Sequence, residues 1–325
     1  MIIAVIEIVG GLIVLLVGGH LLVQGAVIMA LLARLSTAVV ALTVVAMGTS
    51  LPELAVSLDA AARQSTDIAY GNVIGSCLFN LGAILGTAAV LRPIPVQRQT
   101  IRFEYPVMFF AALLTVILAR DGEVDHLDGI ALVVGLVVFM SSMVVLAKRG
   151  VPVNEVQALD QDVRRRAHVQ TGTGRAWGKS TALVAGGIVA LVLGADLAVT
   201  GSVTVARTLG IEERIIGLTI IAMGTSLPEL ATSVVATARG ENEIALGNVV
   251  GSNIFNVLAI LGITAAIFPV QVNERAIALD NWAMLAFSVV LLPMMLRGHR
   301  ISRANAVLLL VGFVTFMGYV LAFEL

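Results

Sequence analysis

Charge is scarce in this 325-residue chain, because only 13% of its residues are charged and soluble domains carry roughly 25%. It has a single cysteine, Cys77, so no disulfide can form within the chain. Basic and acidic residues nearly balance, and the formal net charge is -1. These shortages exclude a disulfide-stabilised secreted scaffold, a disordered chain and a nucleic-acid-binding protein.

Apolar residues take the place of the missing charge. They make up 58% of the chain, whose mean hydropathy is +1.00, and they come in blocks of about twenty, the length that crosses a bilayer as a helix. The pattern predicts an all-α polytopic membrane protein whose N-terminus is retained as a span, since no basic residue precedes Glu7. Ten spans are predicted: 2–32, 37–62, 67–90, 103–119, 127–147, 180–206, 213–238, 243–268, 277–296 and 304–323.

One long polar stretch, residues 148–179, separates two halves, 1–147 and 180–325, with five predicted spans each. Its proline and clustered charges are typical of a linker. The alternate loops that include this linker hold fifteen of the twenty Lys and Arg residues, and the positive-inside rule places that set in the cytoplasm. We therefore expect a multi-pass protein of the cell (inner or plasma) membrane, with both termini extracytoplasmic and the linker cytoplasmic.

The two halves carry the same motif. Residues 43–53, TVVAMGTSLPE, recur as 219–229, TIIAMGTSLPE, and residues 71–80, GNVIGSCLFN, recur as 247–256, GNVVGSNIFN. One displacement of 176 residues aligns both segments. Because each half has an odd number of spans, the second copy must enter the membrane from the opposite side. The sequence thus predicts two inverted five-helix repeats, an architecture typical of secondary transporters with a site at the midplane.

Prolines interrupt the first segment of the motif in each half. Pro52 and Pro228 lack an amide proton and are predicted to break their helices, leaving carbonyls at 46–49 and 222–225 without helical partners. Such carbonyls are tolerated in a membrane where they line a cavity or bind an ion. Two pairs of small residues are predicted to let the following helices approach the breaks closely: Gly71 with Gly75, and Gly247 with Gly251.

Side chains of the motif add further oxygens. The spacing of Thr49, Ser50 and Glu53 puts all three on one helix face, and Ser76 and Asn80 lie one turn apart on the next helix. The second half repeats the set as Thr225, Ser226, Glu229, Ser252 and Asn256. Oxygen ligands that include two carboxylates favour a hard cation such as calcium.

The candidate residues are not equally strong. Serine or threonine within a span often only hydrogen-bonds the backbone of its own helix, and proline is tolerated there. An ionisable residue at mid-membrane is instead functional by default. Glu53 and Glu229 are therefore the strongest candidates. Asp59 is weaker because it lies near a span end, and Asp196, which aligns with His20, is better explained by a contact between helices.

The sequence contains no complete motif of a soluble enzyme. Residues 172–180, GTGRAWGKS, resemble a phosphate-binding loop, but Thr173 stands where that loop needs glycine. The four histidines are scattered and no nucleophile elbow occurs. We expect no enzyme activity, no cofactor and no nucleic-acid partner. The expected partners are inorganic cations and the lipid bilayer, and the sequence indicates no obligatory protein partner.

The paired motifs resemble the two alpha-repeats of the cation/calcium exchanger superfamily, most closely its prokaryotic sodium/calcium exchangers. By this resemblance the alpha-repeats fall at 38–80 and 214–256. It implies that Ala46 and Ala222 lend backbone carbonyls and that Glu53 and Glu229 are shared by calcium and sodium. The metal-binding set that it implies is Ala46, Thr49, Ser50, Glu53, Ser76, Asn80, Ala222, Thr225, Ser226, Glu229, Ser252 and Asn256.

The function that the resemblance implies is calcium/sodium antiport by alternating access, with the first and sixth spans moving across a fixed core. Some relatives carry aspartate where Asn256 stands, so the sodium stoichiometry and a need for potassium stay open. The alternatives are a proton/calcium antiporter and a potassium-dependent sodium/calcium antiporter. A cation channel is less favoured, because channels need weak sites and a buried carboxylate pair binds tightly. A membrane scaffold would not need a duplicated polar core.

Overall fold

Helices dominate the computed structural model, which describes residues 1–33, 35–149, 174–210, 220 and 222–324. In chain order they are α1 (Ile2–Ala33), α2 (Thr37–Thr49), α3 (Leu51–Ala62), α4 (Thr66–Leu91), α5 (Thr100–Asp121), α6 (His126–Arg149), α7 (Gly174–Thr208), α8 (Leu227–Ala238), α9 (Asn242–Ile267), α10 (Ala276–Leu296) and α11 (Arg303–Glu324). The strands are β1 (Ile94–Pro95), β2 (Glu123–Val124), β3 (Val270–Gln271) and β4 (Arg300–Ile301).

Within these described ranges, 8 helices are long and apolar enough to cross a membrane, and the bent pair α2–α3 makes up to 9. This confirms the all-α polytopic membrane architecture. The predicted span 213–238 runs through residues 211–219 and 221, which lie outside the described part of the chain. The count of ten spans and their inverted relation therefore stay predictions.

Most predicted span ends lie within a few residues of the observed ones, but the sixth span starts earlier than expected. We predicted its start at residue 180, whereas α7 begins at Gly174. A helix does not have to end where its apolar stretch ends, and Arg175 and Lys179 lie in the first turns of α7. The stretch 174–179, assigned to the linker, is thus helical, and residues 150–173 lie outside the described ranges.

The centre of the bundle is formed by α4 and α9. Their apolar windows are 78% and 83% buried, whereas those of the other candidate spans are 22–39% buried. Residues from both helices, including Ile84, Leu85, Val249 and Ile254, belong to one apolar core. The second segment of the motif lies on α4 and α9, and thus on the most buried of these candidate spans.

Helices α1 and α7 form a close antiparallel pair beside this core. An added Cβ at Gly11 would lie 2.6 Å from the Ala198 nitrogen, and one at Gly187 would lie 2.6 Å from the Leu22 nitrogen. Gly18 and Gly194 meet the partner helix in the same way. With glycine at these positions the two backbones touch directly, as in other small-residue membrane interfaces.

The two short sheets each join one half of the chain to the other. Strand β1 pairs antiparallel with β4, with Ile94 opposite Ile301. Strand β2 pairs antiparallel with β3, with Val124 opposite Val270. No sheet in the described ranges pairs two strands of the same half. The halves are thus tied together outside the helical core.

Candidate cation-binding site

The motif breaks a helix at matching positions in both halves. Ser50 separates α2 from α3, which are bent by 43°, and Pro52 lies in the first turn of α3. Ser226 precedes α8, with Pro228 in its first turn. The backbone angles of the two serines agree closely, at φ -87, ψ 9 for Ser50 and φ -91, ψ 8 for Ser226. The predicted breaks are confirmed.

One prediction about the backbone was wrong. We expected the carbonyl of Ala46 to have no helical partner, but it accepts a hydrogen bond from Ser50 N at 3.0 Å and one from Thr49 Oγ1 at 3.3 Å. The reason is that proline removes its own amide proton, so the acceptor that loses a donor is four residues before Pro52. That acceptor is Gly48, whereas Ala46 keeps the amide of Ser50. In the second break Ser226 N bonds the Met223 carbonyl at 3.2 Å.

The serines at the breaks hold the glutamates of the opposite half. Ser50 Oγ donates to Glu229 Oε1 at 2.9 Å, and Ser226 Oγ donates to Glu53 Oε1 at 2.8 Å. Ser76 Oγ lies 3.1 Å from Ser226 Oγ. Both glutamates are only 1% exposed. The two breaks therefore meet in one buried polar cluster.

Several atoms of this cluster have no hydrogen-bond partner among the described residues. They are Glu53 Oε2, Glu229 Oε2, Asn80 Oδ1 and Nδ2, Ser252 Oγ and Asn256 Oδ1. Buried polar atoms are nearly always satisfied, and an unpaired buried carboxylate oxygen is costly. Unpartnered oxygens in one buried region suit a hard cation, which binds carboxylate, hydroxyl and amide oxygens.

The amides of Asn80 and Asn256 sit at a local change in helix geometry. A π-helical segment begins at each of them, at Asn80–Ile84 in α4 and at Asn256–Leu261 in α9. Single π-helical turns within α-helices often mark functional positions, because the extra residue shifts the helix face. Ser76 and Ser252 precede these segments by one turn and are 1% and 0% exposed.

Two residues of this region were missed by the sequence analysis. Asn72 Nδ2 donates to the Glu53 carbonyl at 3.1 Å and to Ser57 Oγ at 2.9 Å. Asn248 Nδ2 donates in the same way to the Glu229 carbonyl at 3.3 Å and to Ser233 Oγ at 3.0 Å. The available signal was their identity in the two copies of the motif, where each directly follows its glycine.

The weaker acidic candidates lie apart from the cluster. Asp59 pairs with Arg63 at 2.8 Å, and the side chains of this pair are 64% and 74% exposed. Asp196 is exposed on α7. Neither makes a recorded contact with the glutamates in the described ranges, so the structure supplies no reason to place them with Glu53 and Glu229.

The two halves are not packed alike around the site. An added Cβ at Gly251 would lie 2.8 Å from Ala46 Cβ, so α9 approaches α2 as predicted. Its counterpart Gly75 is exposed, as is Gly71, and no described atom lies within 4 Å of a Cβ added to either. The predicted close approach is thus confirmed for α9, and for α4 it stays a prediction. Its expected neighbours, 214–222, are almost entirely outside the described part of the chain.

A second asymmetry concerns the broken helices themselves. Helix α1 covers α8, where an added Cβ at Gly19 would lie 3.2 Å from the Ala231 carbonyl and Arg239 Nη1 donates to the His20 carbonyl at 3.1 Å. Ala231 is 8% exposed, but its counterpart Ala55 on α3 is exposed. A crevice of about 390 Å³ opens beside α3, lined by Ala55, Val56, Asp59, Ala60, Arg63, Ser65 and Ile68.

A helical membrane bundle with an oxygen-lined, buried cluster at two helix breaks is typical of cation transport proteins. The family model for the sodium/calcium exchanger protein matches residues 3–145 and 179–322. The chain belongs to the sodium/calcium exchanger family and is a cation exchanger.

Known relatives match along most of the chain. The sodium/calcium exchanger MaX1 of Methanosarcina acetivorans is 32% identical over 94% of this chain and 95% of its own. The inner membrane protein YrbG of Escherichia coli is 35% identical over 86% of this chain and 85% of its own. A structure of the sodium-calcium exchanger NCX_Mj, soaked with sodium and strontium, superposes with a TM-score of 0.84 at 27% identity over 98% of both chains.

Proposed function

We propose that this protein exchanges calcium for sodium across a cell membrane, with Glu53 and Glu229 as the central cation ligands. The observation that carries the proposal is the state of the two carboxylates. Each has one oxygen bonded to a serine of the opposite half and a second, buried oxygen without a partner among the described residues. A bound cation supplies the missing partner to both. The choice of calcium and sodium is supported by the family and by the name of MaX1.

The proposed ligand set extends beyond the glutamates. Asn80, Ser252 and Asn256 have buried polar atoms without a partner among the described residues. Ser76 Oγ contacts Ser226 Oγ, which binds Glu53. Thr49, Ser50, Thr225, Ser226 and the carbonyls of Ala46 and Ala222 complete the set. The proposal also includes ten spans in two inverted halves, extracytoplasmic termini and a cytoplasmic linker, as the loop charges indicate.

Charge balance couples the two ions. Two carboxylates in a region of low dielectric repel each other and favour the uptake of positive charge. One calcium ion neutralises both at once, whereas sodium ions must do so together. Because both cations need the same carboxylate oxygens, binding of one displaces the other, and this competition is what an antiporter requires.

Access to the site is proposed to alternate through movement of α1 and α7. The direct backbone contact between these helices lets them move as one unit. Their present position covers α8 and leaves a crevice beside α3. If the halves exchange roles, as the repeat suggests, the opposite position covers α3 and opens α8. The asymmetry thus corresponds to one of two access states.

The proposal is tested by sodium-driven calcium uptake into proteoliposomes. Glu53→Gln and Glu229→Gln should each reduce uptake to background, because each removes a negative charge and a cation ligand with little change in shape. The matched control is Asp59→Asn, which makes the same chemical change six residues further along α3 at an exposed position and should leave uptake near the wild-type rate. Full uptake in either glutamate variant would refute the assignment of the site.

The same vesicles distinguish the driving ion. An outward sodium gradient should support uptake, whereas a proton gradient alone should not, and added potassium should make no difference. Uptake driven by protons without sodium would favour the proton/calcium antiporter, since the same glutamates can carry protons. Uptake that needs both sodium and potassium would favour the potassium-dependent exchanger.

A further inference from the structure

Asn72 and Asn248 make the same three hydrogen bonds in the two halves. Besides the glutamate carbonyl and the serine of its own half, each amide accepts a bond from a threonine of the other half. Thr49 Oγ1 donates to Asn248 Oδ1 at 3.2 Å, and Thr225 Oγ1 donates to Asn72 Oδ1 at 3.4 Å. Both asparagines are buried, at 7% exposure for Asn72 and 0% for Asn248.

These bonds fix the orientation of each amide. Both protons of Asn248 Nδ2 have acceptors, the Glu229 carbonyl and Ser233 Oγ. Rotating the amide by 180° would point Oδ1 at the Glu229 carbonyl and the NH₂ group at Thr49, so the amide would lose its bond to that carbonyl and the threonine its acceptor. Oδ1 is thus held towards the threonine of the opposite half. The same reasoning applies to Asn72 with Glu53, Ser57 and Thr225.

The orientation matters because a threonine hydroxyl has only one proton. Thr49 Oγ1 has Asn248 Oδ1 at 3.2 Å and the Ala46 carbonyl at 3.3 Å, and it also interacts with the Glu229 carboxylate. When the proton goes to Asn248, the Ala46 carbonyl keeps a lone pair for a cation, and the lone pairs of Thr49 can face the cluster. Without Asn248 the proton turns to the Ala46 carbonyl or to the Glu229 carboxylate, and either choice occupies a proposed cation ligand.

We propose that Asn72 and Asn248 are positioning residues of the exchanger: each draws the proton of a threonine in the opposite half away from the proposed cation ligands and fixes the main chain of the glutamate in its own half. They do not themselves hold the cation. Each links the broken helix of one half to the glutamate of the other, so the two halves of the site are adjusted together. The inference rests on the proposed cation site.

A double-mutant cycle between Asn248 and Thr49 tests this role, with calcium affinity read by isothermal titration in detergent. The variants are Asn248→Ala, Thr49→Val and the pair. Asn248→Ala alone should weaken calcium binding about fivefold, the equivalent of one net hydrogen bond. In the Thr49→Val background, which has no hydroxyl proton to redirect, its effect should fall below about twofold. Asn72→Ala with Thr225→Val should behave in the same way.

Asn253 provides the matched control. It is a buried asparagine on the same helix, and its Nδ2 bonds the Val249 carbonyl of its own helix at 2.9 Å. Asn253→Ala should have the same effect with and without Thr49→Val, as a purely structural residue would.

The possible outcomes separate the two proposals. Additive effects of Asn248→Ala and Thr49→Val would overturn the positioning role while leaving the exchanger assignment intact. Calcium binding without sodium-coupled uptake would refute the proposed exchange, and the cycle would still decide the role of Asn248. A wild-type protein that binds neither calcium nor sodium would overturn both.

Discussion

Adjacent glycines on α7 allow a controlled test of the contact between α1 and α7. An added Cβ at Gly187 would lie 2.6 Å from the Leu22 nitrogen and 2.8 Å from its Cα, whereas one at Gly186 would have no described atom within 4 Å. Gly187→Ala should therefore destabilise the protein relative to Gly186→Ala. Both changes bring the same gain in intrinsic helix propensity, about 1 kcal/mol in water, so that gain cancels in the comparison.

The size of the effect follows from the geometry. The two nearest backbone atoms of Leu22 and its Cβ, which is fixed to them, cannot rotate away, so the helices must separate by roughly 0.8 Å to take the closest pair from 2.6 Å to an ordinary contact of 3.4 Å. A gap of about 0.5–1 Å forfeits a quarter to a half of the dispersion energy of each atom pair that it opens. Overpacking of this kind typically costs about 1–3 kcal/mol, and we expect Gly187→Ala to fall in that range.

Thermal unfolding of the two variants in the same detergent measures the difference. Gly187→Ala should unfold at a lower temperature than Gly186→Ala, and its exchange rate should fall because α1 and α7 no longer move as one unit. Equal unfolding temperatures would mean that the two backbones do not touch as described. A second comparison, Gly11→Ala against Gly10→Ala, repeats the test on α1. Of these two glycines, only Gly11 meets the partner helix in the described ranges.

Two further predictions concern packing at the site and orientation in the membrane. Gly251→Ala should lower stability because its Cβ would lie 2.8 Å from Ala46 Cβ and 2.9 Å from Leu42 Cα; an unfolding temperature equal to that of the wild type would contradict this packing. Thr173→Cys in a Cys77→Ala background should resist an impermeant thiol reagent in intact cells and react after lysis. Labelling in intact cells would reverse the proposed topology.

Those features that depend on local chemistry were predicted well from the sequence. The apolar blocks located α4 and α9 to within one residue at each end, and Pro52 and Pro228 predicted both helix breaks. The glutamates stood out because a carboxylate at mid-membrane is costly without a role. These inferences need only the length of an apolar stretch, a missing amide proton and the cost of a buried charge.

Features that depend on how the helices face each other were not accessible in the same way. Small residues at Gly71 and Gly75 predicted a close contact, which stays a prediction because its expected partners, 214–222, lie almost entirely outside the described ranges. Asn72 was overlooked because its partners, Thr225 and Ser57, are known only once the helices are placed. Asp59 was a candidate because it is a charged residue near a span end. Its exposed ion pair with Arg63 was not predicted, because that pair depends on where α3 ends.

The crossed serine–glutamate bonds make each half of the site depend on the other. Ser50 binds Glu229 while Ser226 binds Glu53, which is the reciprocal pattern of an interface between two identical subunits. Both copies of the motif belong to one polypeptide, so single positions can differ between them, and Cys77 stands where the other half has Asn253. The chain thus combines the reciprocal contacts of a homodimer with a site whose two sides need not be the same.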